Sequence, residues 1–463
     1  MAGQVALLLA VLVVAFAINH FWLHLTPWMP VIVAFLVWIG MQVRPTLPVT
    51  FQIGLVVYAL GLLAVLILVH RGRRRWPVIG ITAIVFVALP LFLPNFENGT
   101  LSLILLYGMV AIGLNLLTGN SGQISLGHGA FLAVGVYTSV ILVTKSGWPF
   151  IATIPIAGLV AALFGLVLGV PSTRLTGLYL AITSLALAIS VPTFLKWSTL
   201  FQLTGGVQGI RAGDPQLPGV PSFLSNLGRS LSDSAGNPVK GLTLDEWRYY
   251  LCLIGLAIVI FLAWNLVRSR PGRAFIALRD SEPAAKVMGI NLPAYKTLAF
   301  AISAFFAGVG GAFFVLINQS VQPDTFSLDL SIQFLAMIVI GGLGSISGSL
   351  IGCSVIVWLE LNKTTLPGPA DIPGLGHHLA TNFQQFPLYG AGIYYGVALI
   401  LIMIFLPQGI SGAIYRLAAY PFRERLLQGR RTPSGEPVLE QAPPEPVEAV
   451  AESERRWAPP AER

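Results

Sequence analysis

The chain has 463 residues, of which 55% are hydrophobic and only 10% charged, and its mean hydropathy is +0.78. Water cannot solvate such a surface, so a soluble enzyme is excluded and an all-α, polytopic integral membrane helical bundle is expected. Lys and Arg outnumber Asp and Glu by 27 to 19, but the excess clusters at the ends of apolar runs, where it reports orientation rather than nucleic-acid binding.

The N-terminus, MAGQVALLLAVLVVAF, carries no Lys or Arg ahead of its apolar run and reads as a retained span, not a cleaved signal peptide. Apolar stretches near the roughly 20 residues of a bilayer crossing lie at about 4–19, 29–43, 51–70, 77–94, 101–118, 122–144, 150–170, 176–197, 249–267, 297–317 and 388–406. The region 331–360 is interrupted by GGLGSISG and reads as two short spans or one broken one, giving roughly 11–13 crossings with broken or re-entrant helices. Three basic clusters are expected in the cytoplasm: Arg71 with Arg73 to Arg75; Arg268, Arg270, Arg273, Arg279, Lys286 and Lys296; and the tail after Arg416. Counting crossings agrees. Five lead outward from the first cluster to 198–248, and a sixth returns to the second. The tail, RRTPSGEPVLEQAPPEPVEAV and onward, is Pro- and Glu-rich without an apolar face, the composition of a disordered segment.

Cys252 and Cys353 both sit in apolar runs and read as small buried residues. His377 and His378 have no Cys or carboxylate at ligand spacing, so neither a metal nor any other cofactor is expected. No catalytic set of paired carboxylates or Ser/His/Asp is found.

One stretch stands apart. GLNLLTGNSGQISLGHGAFLAVGVY, Gly113 to Tyr137, falls where a span belongs yet is full of Gly and polar residues. Non-helical backbone at membrane depth is tolerated only where protein buries it or a water-filled cavity meets it. The stretch therefore marks a translocation path or a tight helix crossing. Gly122, Gly127 and Gly129 allow close approach, Asn115, Gln123 and Ser125 offer hydrogen bonds without fixed charge, and a freed helix N-terminus would suit a carboxylate. His128 is the clearest ionisable side chain inside a span, read either as a hydrogen-bonded structural residue or as a path-lining one. The second break, with Gly341, Gly342 and Gly344, has a comparable setting and could face the first across a pore. Thr204, Gly205, Gly206 and Gly209 fall at the outer surface and read as a substrate mouth or a plain turn.

The block RDSEPAAKVMGINLPAYKTLAFAISAFFAGVGGAFF (279–314) resembles the coupling-loop region of ATP-binding-cassette importer permeases, most closely the branched-chain amino acid family in the longer of its two subunit types. LTGNSGQISLGHGAF (117–131), GLYLAITSLALA (177–188), LTGGVQGI (203–210), IGGLGSISGSLIG (340–352) and LPQGI (406–410) resemble that family's stretches in the same order. The resemblance covers about 77–412. It makes 76–415 a permease core, with extra transmembrane segments at 1–75 and a cytoplasmic tail at 416–463. It further implies partner ATP-hydrolysing subunits, a second homologous permease and an extracytoplasmic substrate-binding protein in a bacterial-type cytoplasmic (inner) membrane.

Arg279, Glu282, Ala284, Ala285 and Gly289 match the ATPase-coupling loop, with Pro283 a departure that predicts a helix restarting near Ser281. Small Ala284 and Ala285 would allow close approach while Arg279, Glu282 and Lys286 bind at the rim. The chain has no Gly-Lys dipeptide, so the phosphate-cradling GxxxxGK[ST] loop is absent and ATP would be hydrolysed by the partners. The cargo implied is a branched-chain or other apolar amino acid; similar permeases carry urea or short amides. A secondary transporter would want ionisable groups within its spans, whereas Glu97, Asp329 and Glu360 fall at or near span ends.

This topology predicts that a membrane-impermeant thiol reagent added outside labels Ser225→Cys and not Ser281→Cys. The reverse pattern would overturn the orientation.

Overall fold

A computed structural model describes residues 86, 90, 95–174, 177–212, 244–361, 400 and 409–412. The spans expected at 4–19, 29–43 and 51–70, nearly all of those at 77–94 and 388–406, the paired histidines and the tail lie outside the described residues.

The described chain is a bundle of apolar helices. α1 (Asn95–Asn115) runs into a π-helical turn, Leu116–Asn120. α2 (His128–Ser146) ends on Gly147, whose left-handed conformation lets its N–H close onto Leu142 O. α3 (Phe150–Ser172) starts behind Pro149, and α4 (Leu178–Leu195) behind Gly177. A bend of 59° leads from α4 into a single 3-10 turn and the short α5 (Phe201–Thr204). α6 (Leu244–Arg268) is followed by two short helices, α7 (Arg270–Asp280) and α8 (Glu282–Val287). α9 (Leu292–Ile317), α10 (Leu328–Gly341) and α11 (Ile346–Leu361) complete the set. Among the described residues five helices are long and apolar enough to cross a membrane, six if the bent pair is one span, and α10 and α11 are shorter apolar helices. The protein is an all-α, multi-pass membrane protein.

α1 and α9 form the centre, since both are buried almost throughout, whereas α3 and α6 leave most of their surface open. Lipid supplies no hydrophobic force between spans, so close backbone approach through small residues must hold them. A Cβ placed on Gly135 of α2 would lie 2.5 Å from Gly308 Cα, and one on Gly308 of α9 would lie 2.5 Å from Ala157 O of α3. Gly165 of α3 would meet Ala304 Cβ at 2.6 Å. The outward side of α3, with Ile151, Leu159, Leu163 and Val167, is exposed and apolar.

The region 331–360 is two separate short helices and not one broken one, each shorter than the helices long enough to cross a membrane. α10 and α11 form an antiparallel hairpin, with Cys353 Sγ 3.4 Å from Met337 Sδ and a Cβ on Gly348 only 2.7 Å from Gly341 O. Both cysteines are free and buried, as their apolar context implies.

The bundle has two ends. At one, the 3-10 turn Pro323–Phe326 meets α4 through the Lys196–Asp324 ion pair, and β1 (Ile210–Arg211) pairs antiparallel with β2 (Ser320–Val321). At the other, basic end, α7 and α8 lie under the start of α9, helped by the Lys296–Glu282 pair at 2.7 Å. The pair buries Lys296 to 5% exposure.

The glycine seam gives a measurable expectation. Gly135→Val should destabilise the bundle by about 1–3 kcal/mol or more through overpacking, lowering the unfolding midpoint in detergent. Gly99→Ala, where a Cβ meets nothing within 4 Å, should leave that midpoint within about 0.5 kcal/mol of the parent.

Candidate functional site

The site begins where α1 stops. Its last turn widens to π geometry, which shifts carbonyls off the regular ladder and is frequent at functional positions. Ser121 Oγ donates to Leu117 O at 2.7 Å, the Gln123 N–H to Leu117 O at 3.2 Å, and Thr118 Oγ1 to Gln123 O at 3.2 Å. Turning back in this way takes Gly122 to φ +73°, where a side chain would be strained.

From there the chain runs extended. Ser121, Gln123, Ser125 and Gly127 are buried while Gly122 and Ile124 are exposed and Leu126 half-exposed, the two-residue alternation of an extended strand. The segment climbs into the bundle. Its Leu126 N–H donates to Ser184 Oγ of α4 at 2.8 Å, His128 Nε2 lies 2.6 Å from Ser303 Oγ of α9, and the Gly129 N–H donates to Ser331 Oγ of α10 at 3.0 Å. Ser303 sits three turns into α9, about 16 Å from its start at 1.5 Å per residue, roughly half the hydrocarbon thickness of a bilayer. So α2 begins at membrane depth, and the span expected to start at 122 starts as helix only at His128. The reason is partnering: the hydroxyls of Thr118, Ser125 and Ser184 and Leu117 O take backbone groups of 121–127 that a helix would otherwise satisfy.

The start of α2 is not an open anion cradle. The N–H groups of Leu126, Gly127 and Gly129 are taken by the hydroxyls of Ser184, Ser125 and Ser331, and those of Ala130 and Phe131 by Gly127 O. Gly127 itself is hemmed in, since a Cβ there would lie 2.9 Å from Ser184 O. His128 is fully buried with Phe131 edge-on at 5.4 Å. Its Nδ1 and Gln123 Oε1 are buried without a protein partner.

The two Gly-rich breaks do not face each other across a pore. They touch. Asn115 Nδ2 donates to Ser345 O and to Ser349 Oγ, each at 2.8 Å, and its Oδ1 accepts from the Gly344 N–H at 2.7 Å. Gly342 and Gly344 have φ of +120° and +80°, and Gly341 packs on Gly348. Gly409 approaches so closely that a Cβ there would lie 2.5 Å from Gly342 Cα. Stretches 117–131, 340–352 and 409–410 thus meet, and Ser184 of 177–188 joins the first of them at Leu126 and Gly127.

The basic end meets them there. Ser281 caps α8, accepting from the Ala284 N–H at 3.4 Å, with Pro283 in the first turn, as the sequence predicts. The residues expected to dock a partner divide. Ala284 is exposed, but Ala285 is turned into the protein; Glu282 pairs with Lys296; Arg279, its side chain half exposed and 3.9 Å from Asp280, reaches Gly119 O at 2.7 Å. Gly289, at φ +80°, ends the short helix. Val287 and Met288, which sequence reasoning did not single out, are 87% and 81% exposed.

At the opposite end Thr204 Oγ1 lies 2.8 Å from Leu195 O and 2.9 Å from Leu200 O and accepts from the Gly206 N–H. Gly205 is left-handed, and Gly209, at φ +72°, packs on the Val321 carbonyl. These four residues build a tight, well-bonded turn against β2. Sequence reasoning also missed Ser184, Ser303 and Ser331; the available signal was the presence of hydroxyls within three apolar runs. Among the described residues no cluster of His, Cys, Asp or Glu could hold a metal.

The family profile described as "Branched-chain amino acid transport system / permease component" matches residues 97–406. The chain belongs to that family. The high-affinity branched-chain amino acid transport system permease protein LivM of Escherichia coli (strain K12) is 31% identical over 332 residues, covering 70% of this chain and 72% of the relative. The LivH permease protein of the same organism is 26% identical over 331 residues, 69% of this chain and 96% of its own length. A probable LivM protein from Methanocaldococcus jannaschii is 23% identical over 344 residues, 66% and 90%. No solved structure matches. The permease is a transport component and not itself a catalyst, and the match spans both breaks and the Ser184, Ser303 and Ser331 positions that bond the first.

The Asn115 knot should be needed for folding of this permease. Asn115→Leu removes the acceptor of the part-buried Gly344 N–H and one of the donors to Ser345 O, which keeps the Ser349 N–H, at about 0.5–1.5 kcal/mol for each bond lost. The expected result is a lower unfolding midpoint in detergent; an unchanged midpoint would show that the two breaks hold together without it.

Proposed function

We propose that this permease is the membrane subunit of an ATP-binding-cassette importer that moves branched-chain or other apolar amino acids into the cytoplasm. The observation that carries the reading is the outer face of α8. Val287 and Met288 stand out of a polar loop beside exposed Lys286 and Ala284, while Ala285 and the Glu282–Lys296 pair hold the other face down. An apolar pair so exposed at the basic end, flanked by charge, suits a protein partner. With no phosphate-cradling loop in the chain, that partner is read as the ATPase.

The rest of the assembly follows the same reading. A second permease would cover part of the open apolar surface of α3 and α4, a binding protein would deliver cargo at the end built from 203–210 and 320–326, and the whole would sit in an inner membrane with its basic end in the cytoplasm. The exposed edge of the extended segment, with Ile124 at 44%, offers an apolar flank, and the buried unpartnered Gln123 Oε1 and His128 Nδ1 lie just inside it. Such groups favour a route that is polar in its wall and apolar at its edge. Among the described residues the carboxylates of the spans lie near helix ends, which disfavours a proton- or sodium-driven carrier.

The test is reconstitution of the permease with the ATPase, second permease and binding protein that co-purify with it, followed by ATP-dependent uptake of labelled leucine. Isoleucine and valine should compete, and urea and acetamide should not. The Val287→Glu/Met288→Glu double variant should insert normally yet lose ATPase association by about tenfold or more, the scale of a lost interface anchor. It is cleaner than Glu282→Lys, which would also set a like charge against buried Lys296. Full association and uptake in the double variant would remove α8 as the docking element.

A further inference from the structure

We infer that Arg279 is not a docking residue but the positioning residue that joins the α8 segment to the two Gly-rich breaks, so that uptake stays coupled to ATP hydrolysis. The inference rests on the importer reading and adds to it a residue and a direction of transmission.

Arg279 occupies the last turn of α7. Half of its side chain is open and its Nε lies 3.9 Å from Asp280 Oδ1, but its Nη1 donates to Gly119 O at 2.7 Å, across 160 residues of chain. Its Cα and Cγ each lie 3.3 Å from where a Cβ on Gly122 would stand, and its Nη1 lies 3.4 Å from the corresponding point on Gly344. One side chain therefore touches the end of α1, the start of the extended segment and the turn of the α10–α11 hairpin. The acceptor is suited to it. Gly119 belongs to the π turn that closes α1, where carbonyls left without intrahelical partners carry the negative end of the helix dipole and attract a guanidinium.

The mechanical arrangement supports transmission in one direction. α7 is anchored, with Gly272, Ala274, Phe275 and Leu278 buried and Phe275 edge-on to Tyr295. α8 is held on one face only, by Ala285 and the Glu282–Lys296 pair, and its other face is open. Ser281 between them is extended, at φ −163° and ψ 109°, so α7 and α8 are separate rods meeting one residue beyond Asp280. A partner bearing on α8 loads both the root of α9, through the Glu282–Lys296 pair, and the last turn of α7, where Arg279 lies. At its far side Gly119 is two residues from the extended segment and packs on Gly344, which Asn115 also binds. Displacing Arg279 thus loads both breaks together.

Spatial connection alone does not establish coupling, and the experiment measures coupling itself. Arg279→Met and Arg279→Gln keep an unbranched stem but lose the reach and charge for Gly119 O; Arg279→Lys keeps the charge. Each variant is purified with its co-purifying partners, reconstituted, and assayed for labelled leucine taken up per ATP hydrolysed, ATPase co-purification and unfolding midpoint. The expected result is that Met and Gln lower leucine per ATP by about tenfold, within the usual range of coupling between sites, while ATPase association stays at the parent level, and that Lys recovers part of the loss. Unchanged leucine per ATP in both neutral variants would overturn the inference. So would loss of ATPase association, which would make Arg279 a docking residue, and so would failure of both neutral variants to accumulate as folded protein. The parent complex serves as the check on the reading beneath: absence of ATP-driven uptake in the parent refutes the importer, whereas normal uptake in parent and variants alike refutes only the role of Arg279.

Discussion

A backbone amide with no partner inside a bilayer costs several kcal/mol, and residues 121–127 and 342–345 are where this chain leaves the helix within its bundle. Everything particular about the structure answers that demand. Hydroxyls of Ser121, Ser125, Ser184 and Ser331 and the amide of Asn115 supply the hydrogen bonds that the helix ladder no longer does. Each such group is small and neutral, so it can be buried at far lower cost than a charge. The polar residues scattered through an apolar sequence are thus a distributed set of partners for one irregular segment.

The same demand explains the glycines. Bringing a hydroxyl or an amide to a backbone requires that backbones come close, and the approach of α2, α3 and α9 at Gly135, Gly165 and Gly308 allows it without side chains between them. At the breaks the glycines have a second use. Gly122, Gly342 and Gly344 adopt positive φ, which turns the chain through angles that other residues resist. Packing and conformation together bring the two breaks into contact, and the arrangement leaves Ile124 facing out and Gln123 facing in.

Charge is kept to the ends and used there with economy. Lys296, almost fully buried at the root of α9, is neutralised by Glu282; Arg279 meets the carbonyl end of α1; Lys196 and Asp324 close the opposite end. Two of the three contacts tie α7 and α8, the segment outside the spans, to helices within the bundle. The outward-facing residues of α8, Val287 and Met288, are left free for something else.

Composition and hydropathy by themselves determined that this is a helical membrane protein, where most described spans lie, and that polar glycine-rich stretches interrupt them, because those properties follow from the cost of putting charge or bare backbone into lipid. The order of short motifs was enough to indicate the permease family. The capped restart at Ser281 was legible too, since a Ser followed by Pro at the second helical position is a local signal. What only the tertiary structure decided is which groups meet. No local pattern distinguishes Ala285, turned inward, from Ala284, turned out, and none tells Arg279 to reach Gly119 rather than a partner. Nor does spacing show that the breaks touch through Asn115 instead of facing each other across a gap. Periodicity records the burial a residue needs; the partner comes from packing between segments more than a hundred residues apart, on which local propensity has no purchase.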